Sequence, residues 1–260
     1  MKNKEKETNF EQIKKIVLDK AKENGACASE YKRALESKSI SKICQVLKDN
    51  FNWGCDHNVI TSEFIEQFMD DFAINEIFVN ANVVKGFMLA SDSATVRASG
   101  SATVRAFDSA IVEASGSATV RASGSVTVEA SGSATVRASG SATVRASGSV
   151  TVEASGSVTV EASGSATVRA SGSATVRAFD SAIVEASDSA TVRASDSATV
   201  RASDSATVRA SDSATVRASG SVYVNCNTTI ECKISDHAII RRRDTNTIQF
   251  CDDTIKFEKI

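Results

Sequence analysis

Ser99-Gly100-Ser101-Ala102-Thr103-Val104-Arg105-Ala106 is one copy of a phrase that runs sixteen times in succession from Ser91 to Ala218, without an insertion or a deletion. A fixed short period means that each unit meets its neighbours in the same way, so the array buries its core by stacking copies. Alternation within the octad sets Gly100, Ala102, Val104 and Ala106 on one side of a strand and Ser99, Ser101, Thr103 and Arg105 on the other. Eight is even, so the small apolar side stays in phase from copy to copy. The Ser-Gly or Ser-Asp step reads as the bend between strands, because Gly tolerates unusual dihedrals and Asp or Ser bonds nearby backbone groups. These features predict a mainly β protein, a parallel β-solenoid (β-helix) of eight-residue repeats.

An interior of Ala, Val and Ala fills only a narrow gap between two sheets. A three-sided prism would leave voids, which are costly in a densely packed interior, so the volume predicts two octads per sixteen-residue coil and about eight clean coils. With strands about 4.8 Å apart, the clean repeats would span on the order of 40 Å. One spacing also admits a wider coil. Arg105-Ala106-Phe107-Asp108-Ser109-Ala110-Ile111-Val112-Glu113 recurs letter for letter at Arg177 to Glu185, and that 72-residue interval is three coils of 24 or four and a half of sixteen. A recent duplication explains the recurrence equally well.

The composition shifts at both edges of the array: Phe is nearly confined to the flanks, and Pro is absent throughout. Before the repeats, apolar residues recur at helical spacing, through Phe10, Ile13, Ile16 and Val17 and then Ile40, Ile43, Val46, Leu47 and Phe51. Asn9 and Gly25 read as the start and stop of the first helix, Ser39 as the cap of another, and Thr61 or Ser62 as the cap of one through Phe64, Ile65 and Phe68. A shorter helix from Ala28 to Leu35 makes four. From Ile74 the period changes to two, so the solenoid is expected to start before its clean copies. After Ser219 the phrase decays into longer side chains and ends in Thr247-Ile248-Gln249-Phe250, a Cys251-Asp252-Asp253 turn and Thr254-Ile255-Lys256-Phe257. The reading is an N-terminal helical domain over residues 1–74, a solenoid over 75–234 with clean octads at 91–218, and a C-terminal β-hairpin cap over 235–260. Head and tail would protect the open strand edges of a solenoid.

A net charge of −2 argues against nucleic acid or an anionic membrane as an obligatory partner. No run approaches a membrane span, and Met1-Lys2-Asn3-Lys4-Glu5-Lys6-Glu7 leads into an amphipathic pattern with no apolar signal core. The six cysteines, Cys27, Cys44, Cys55, Cys226, Cys232 and Cys251, lie in the flanks, too few and too scattered for a disulfide framework. They read as reduced thiols of a cytoplasmic protein, with association with a virion as the alternative.

In-register stacking sets equivalent residues of successive coils about 5 Å apart, so a column of Arg alone would repel itself. Five Glu (Glu113, Glu129, Glu153, Glu161, Glu185) share the position with eleven Arg, and where Glu stops, Asp188, Asp196, Asp204 and Asp212 replace Gly at the bend. Such a surface serves as a self-screened, soluble face. Its sharper reading is recognition of a periodic partner: ice, a polysaccharide or another copy of the rod. The candidate interaction face is Thr103, Arg105, Thr119, Arg121, Thr135, Arg137, Thr143, Arg145, Thr167, Arg169, Thr175 and Arg177. Phe107 and Phe179 interrupt a Ser position and read as corner packing or as an exposed contact.

The eight-residue period with Ser, Gly, Thr and a closing Ala resembles the repeats of bacterial ice-nucleation proteins, over the solenoid only. That family carries a water-organising Thr-x-Thr, whereas the matching positions here, such as Thr119 and Arg121, read Thr-x-Arg or Thr-x-Glu. In that family Arg-bearing coils are associated with assembly into larger bodies, so the resemblance implies self-association ahead of ice binding.

No catalytic, cofactor-binding or metal site is expected. Cys55-x-His57 lacks a second ligand pair at zinc spacing, and Ser-Gly-Ser is not the Gly-x-Ser-x-Gly nucleophile elbow. Phosphate-loop and dinucleotide fingerprints are missing. Arg241-Arg242-Arg243 reads as a solvated edge. The function expected is that of a non-enzymatic structural or interaction protein, a rigid rod used as spacer or self-assembly scaffold. It would be a homo-oligomer through head, tail or solenoid face, with a protein partner for the helical domain. The alternative is a ligand-binding rod, for ice or glycan or as a phage or surface adhesin.

Overall fold

The computed structural model describes residues 2–251 and 254–256, with side chains from Asn9 to Cys251. Six helices come first: α1 (Lys2–Glu23), α2 (Ala28–Glu36), α3 (Ile40–Asp49), α4 (Phe51–Asp56), α5 (Ser62–Gln67) and α6 (Met69–Ile74). The solenoid opens with β1 (Ile77–Val79) and β2 (Phe87–Ala90). It then lays down one four-residue strand per octad, from β3 (Thr95–Ala98), β4 (Thr103–Ala106) and β5 (Ile111–Ala114) to β18 (Thr215–Ala218). β19 (Tyr223–Cys226), β20 (Glu231–Ile234), β21 (Ile239–Arg242), β22 (Thr247–Gln249) and β23 (Thr254–Lys256) complete it.

The strands form two sheets of eleven and twelve. Alternate octads go to opposite sheets, and each residue pairs in parallel with the residue sixteen away: Val152 lies between Val136 and Val168, and Thr151 between Thr135 and Thr167. The coil therefore holds two octads, as the narrow interior demands. The 72-residue recurrence is four and a half coils, and its two copies begin on opposite sheets.

Ala102, Val104 and Ala106 are fully buried, and their counterparts in the clean octads are buried too, apart from Ala94 of the first octad, which is partly buried. Gly100 does not join them. It sits exposed in the bend at φ +56°, and its whole column is left-handed, whether Gly or Asp; Asp180, for example, has φ +53°. The bend must reverse direction within Ser-Gly-Ser, which takes that residue out of strand geometry and off the inward face. A side chain there meets the coil before: a Cβ on Gly132 would lie 3.1 Å from the nitrogen of Gly116. Asp turns that close approach into a bond. Asp180 and Asp188 each accept the Gly N–H one coil back, from Gly164 and Gly172, at 2.9 Å. Asn and Asp are also the L-residues that tolerate a positive φ best.

In the head, the side chain of Ser39 accepts from the Lys42 N–H, that of Thr61 accepts from Phe64, and Gly25 ends α1 at φ +69°. Asn9 is no cap, because α1 starts earlier and runs through it; its amide donates to Asp71. Two breaks, at Asn50 and Phe68, give six helices where periodicity gave four. The head core of Ile13, Ile43, Phe51, Ile65 and Phe72 is continuous with Ile77 and Leu89 of the first coil, and Phe51 meets Phe87 with ring centroids 5.1 Å apart. That junction covers the first edge, where α5 and α6 pack on β1.

At the far end β21 still pairs in parallel with β19, and β22 and β23 then fold back as antiparallel strands. The hairpin is therefore present, while Asp252, Asp253 and Phe257 lie outside the described residues. It covers one sheet only, and among the described residues no strand pairs beyond β20.

Candidate interaction faces

The inward set is uniform, so any specificity must come from the residues that alternation turns outward. The two sheets look in opposite directions and divide the candidate residues between them. Thr103, Arg105, Thr119, Arg121, Thr135, Arg137, Thr167 and Arg169 belong to one sheet, and Thr143, Arg145, Thr175 and Arg177 to the other.

On the first sheet the charged row reads Arg105, Arg121, Arg137, Glu153, Arg169, Glu185, Arg201, Arg217. Arg137 pairs with Glu153 at 2.7 Å, and Glu185 lies between Arg169 (3.0 Å) and Arg201 (3.5 Å). On the second sheet it reads Arg97, Glu113, Glu129, Arg145, Glu161, Arg177, Arg193, Arg209. Arg97 pairs with Glu113 at 2.7 Å, and Arg145 and Arg177 both reach Glu161. The bond from Arg97 holds the Glu113 carboxyl below the usual range and raises the guanidinium of Arg97 in turn. Exposed pairs of this kind add little stability apiece, so these ion pairs break up the like-charge runs of the row, such as Arg105-Arg121-Arg137 and Glu113-Glu129, more than they act as struts. Past Glu185 that compensation ends. Arg193, Arg209 and Arg217 have no carboxylate within 4.0 Å among the described residues.

Arg105 differs from its column: its residue is only 7% exposed. It reaches across to the head, donating from Nε to Asp56 at 3.0 Å and pairing with the same oxygen through Nη2. Its guanidinium also lies 4.4 Å from the centroid of Phe107, which packs against the head core. Phe179, at the same octad position on the opposite edge, is 40% exposed. It closes one end of a shallow groove of about 680 Å³ along the second sheet, floored by Ala130 and Ala146 and flanked by Glu129, Arg145 and Glu161.

Cys55 and His57 take up structural places. Burial pushes the Cys55 thiol up to about 12, and His57 stacks on Trp53 while its Nδ1 meets the Trp53 carbonyl at 2.9 Å. Among the described residues no three His, Cys, Asp or Glu side chains gather as a metal site, and no helix is long and apolar enough to cross a membrane. Arg241-Arg242-Arg243 does not stay together as an edge. Arg241 points out, Arg243 is exposed, and Arg242 occupies the inward place that Ala holds in every clean octad and is buried. Extending the octad frame past Ser219 would have found it.

Comparison with protein-family models, curated proteins and solved structures returns no match for this chain.

Proposed function

We propose that this protein is a non-enzymatic scaffold whose rod pairs with a second copy of itself through the second sheet, leaving the head free to engage another protein. The observation that carries this reading is the order of charges in that sheet's row. A two-fold axis between Arg145 and Glu161, lying along the strands, sets one row antiparallel to its copy. It puts Glu113 against Arg193, Glu129 against Arg177 and Arg145 against Glu161, in both halves. Every Glu of the row then meets an Arg of the partner, and only Arg97 and Arg209 meet a like charge. An isologous interface needs this self-complementarity, and interfacial charge of this kind fixes register more than affinity. The same axis sets the exposed Phe179 over the partner's Ser131, along the groove, which gives the interface an apolar anchor. The head sits on the opposite sheet, around Phe87, Leu89 and Arg105, and leaves this face open.

Light scattering and small-angle scattering at low and moderate salt test the reading. The expected result is a dimer that weakens with salt, is lost in Arg177→Glu and in Glu129→Arg, and returns in the double variant, where the two charges exchange places. A monomeric rod at low salt, or a dimer indifferent to both single variants, would overturn it.

A second reading rests on the Thr ladder Thr127, Thr143, Thr159, Thr175, Thr191, Thr207, an unbroken in-register row on the same sheet. Such a row suits a periodic ligand such as ice or a glycan. Thermal hysteresis or glycan-array binding that survives Arg177→Glu but is lost in Thr159→Tyr would favour it.

A further inference from the structure

Where the octad frame runs past its clean copies, three inward positions change character together. Cys226 holds an Ala place at the end of β19, Cys232 holds a Val place in β20, and Arg242 holds the Ala place one coil beyond Cys226. The strands β19 and β20 belong to opposite sheets, so the two thiols face each other across the thin core, with sulfurs 3.4 Å apart. Arg242 is 8% exposed and donates to the Cys226 sulfur (3.2 Å), to the carbonyls of Asn227 (2.7 Å) and Ile230 (3.0 Å), to the Gln249 side chain (2.8 Å) and more distantly to Cys232 (3.9 Å). Among the described residues no carboxylate lies within 4.0 Å of it. A buried guanidinium favours an anion beside it, and among the described residues the ionisable group nearest to it is the Cys226 thiol, with Cys232 next.

We propose that Cys226 and Cys232 are a peroxide-reactive dithiol, with Cys226 as the thiolate held by Arg242 and Cys232 as the resolving thiol. In the first step the Cys226 sulfur attacks one oxygen of hydrogen peroxide; the O–O bond breaks, hydroxide leaves and Cys226 becomes a sulfenic acid. In the second step the Cys232 sulfur attacks that sulfenic sulfur, the S–S bond forms, and the sulfenic oxygen leaves as water with the Cys232 proton. The proton that Cys226 gave up on ionising neutralises the hydroxide. Two thiols thus lose two electrons, and one peroxide becomes two waters. The hydrogen bond from Cys232 and the nearby charges of Arg242 and Arg243 bring Cys226 down to about 7, while its hydrogen bond to Cys226, then burial and the neighbouring thiolate's charge, push Cys232 up, which divides the roles. Cys226 is fully buried and Cys232 only partly, so the small oxidant enters from the Cys232 side. Cys44 is set apart by burial that lifts it to about 12.

The test treats the full-length protein with dilute hydrogen peroxide at neutral pH, alkylates the remaining thiols, and maps peptides by mass spectrometry. A linked Cys226–Cys232 peptide is expected, reversed by dithiothreitol, with Cys44 and Cys55 still alkylated. Three variants each restore the residue of the clean repeat at their position and so keep the fold: Cys226→Ala, Cys232→Val and Arg242→Ala. Cys232→Val should trap Cys226 as a sulfenic acid open to a dimedone probe, Cys226→Ala should leave Cys232 unmodified, and Arg242→Ala should slow the linkage at least tenfold. The proposal is overturned if no linked peptide forms, if Cys226 or Cys232 pairs instead with Cys27 or Cys251, or if Arg242→Ala reacts as fast as the natural chain.

Discussion

The segments Arg105–Glu113 and Arg177–Glu185 share every residue but only part of their surroundings. In both, the Asp at the bend accepts an N–H from the coil before, Asp108 from Asp92 at 3.4 Å and Asp180 from Gly164 at 2.9 Å. In both, the final Glu pairs with an Arg one coil back, Glu113 with Arg97 and Glu185 with Arg169. These contacts depend only on stacking at a sixteen-residue pitch, which is the same everywhere on the rod. The Arg and the Phe part company. Arg105 is buried against Asp56, with Phe107 beneath it, whereas Arg177 is exposed beside Glu161 and Phe179 faces solvent. A repeat thus dictates what its neighbours in the stack can meet, and the head then decides which of two identical copies becomes a joint and which stays available as a face.

Truncating the arginine breaks this comparison most sharply. Arg105→Ala leaves Asp56 without its partner inside the junction and should cost about 2–3 kcal/mol of unfolding free energy, by analogy with broken buried pairs and allowing for the partial exposure of Asp56. Arg177→Ala should change stability by less than about 0.5 kcal/mol, measured for both by denaturant unfolding. Equal costs would mean that the Arg105–Asp56 contact does not hold the head. A smaller difference is expected for the rings. Phe107→Ser should cost about 1–2 kcal/mol through lost apolar burial, and Phe179→Ser within about 0.5 kcal/mol of nothing, since each restores the Ser of the repeat. In the pairing reading, Phe179→Ser should still weaken the dimer, so scattering would move while stability does not. Ile111→Thr and Ile183→Thr should both be close to neutral, within about 0.5 kcal/mol. Both side chains point outward at about the same exposure, 40% and 38%, and neither joins the head core. A large effect at one alone would reveal a contact that the stacking pitch does not explain.

Much of the candidate face was legible before any coordinates. Thr and Arg alternate with buried Ala and Val because a strand has period two, and rows form because the repeat has no insertions. What the octad could not tell was which rows share a side: Thr103 and Thr119 lie on one sheet and Thr143 on the other, because alternate octads cross the core. Nor could it separate Arg105 from Arg121, since their octads are identical, Ser-Gly-Ser-Ala-Thr-Val-Arg-Ala in both. The burial of Arg105 comes from Asp56, 49 residues away in a helix. Arg242 lay hidden for another reason: a run of three arginines reads as surface until the frame is carried through it, and only then does its middle member fall on the inward side.

The sequence by itself determined the solenoid, its small-residue core and the outward Thr and charged positions, and favoured the sixteen-residue coil, because these follow from an even, uninterrupted period and from side-chain volume; the pairing at sixteen residues then settled the coil and the charge order along each row. The tertiary structure alone decided where the head lands, which copy of the duplicated segment it takes, and that Cys226, Cys232 and Arg242 come into contact at the tail. Those outcomes depend on contacts between residues far apart in the chain, made by helices and by decayed octads whose pattern no longer repeats, and a local period carries no information about such meetings.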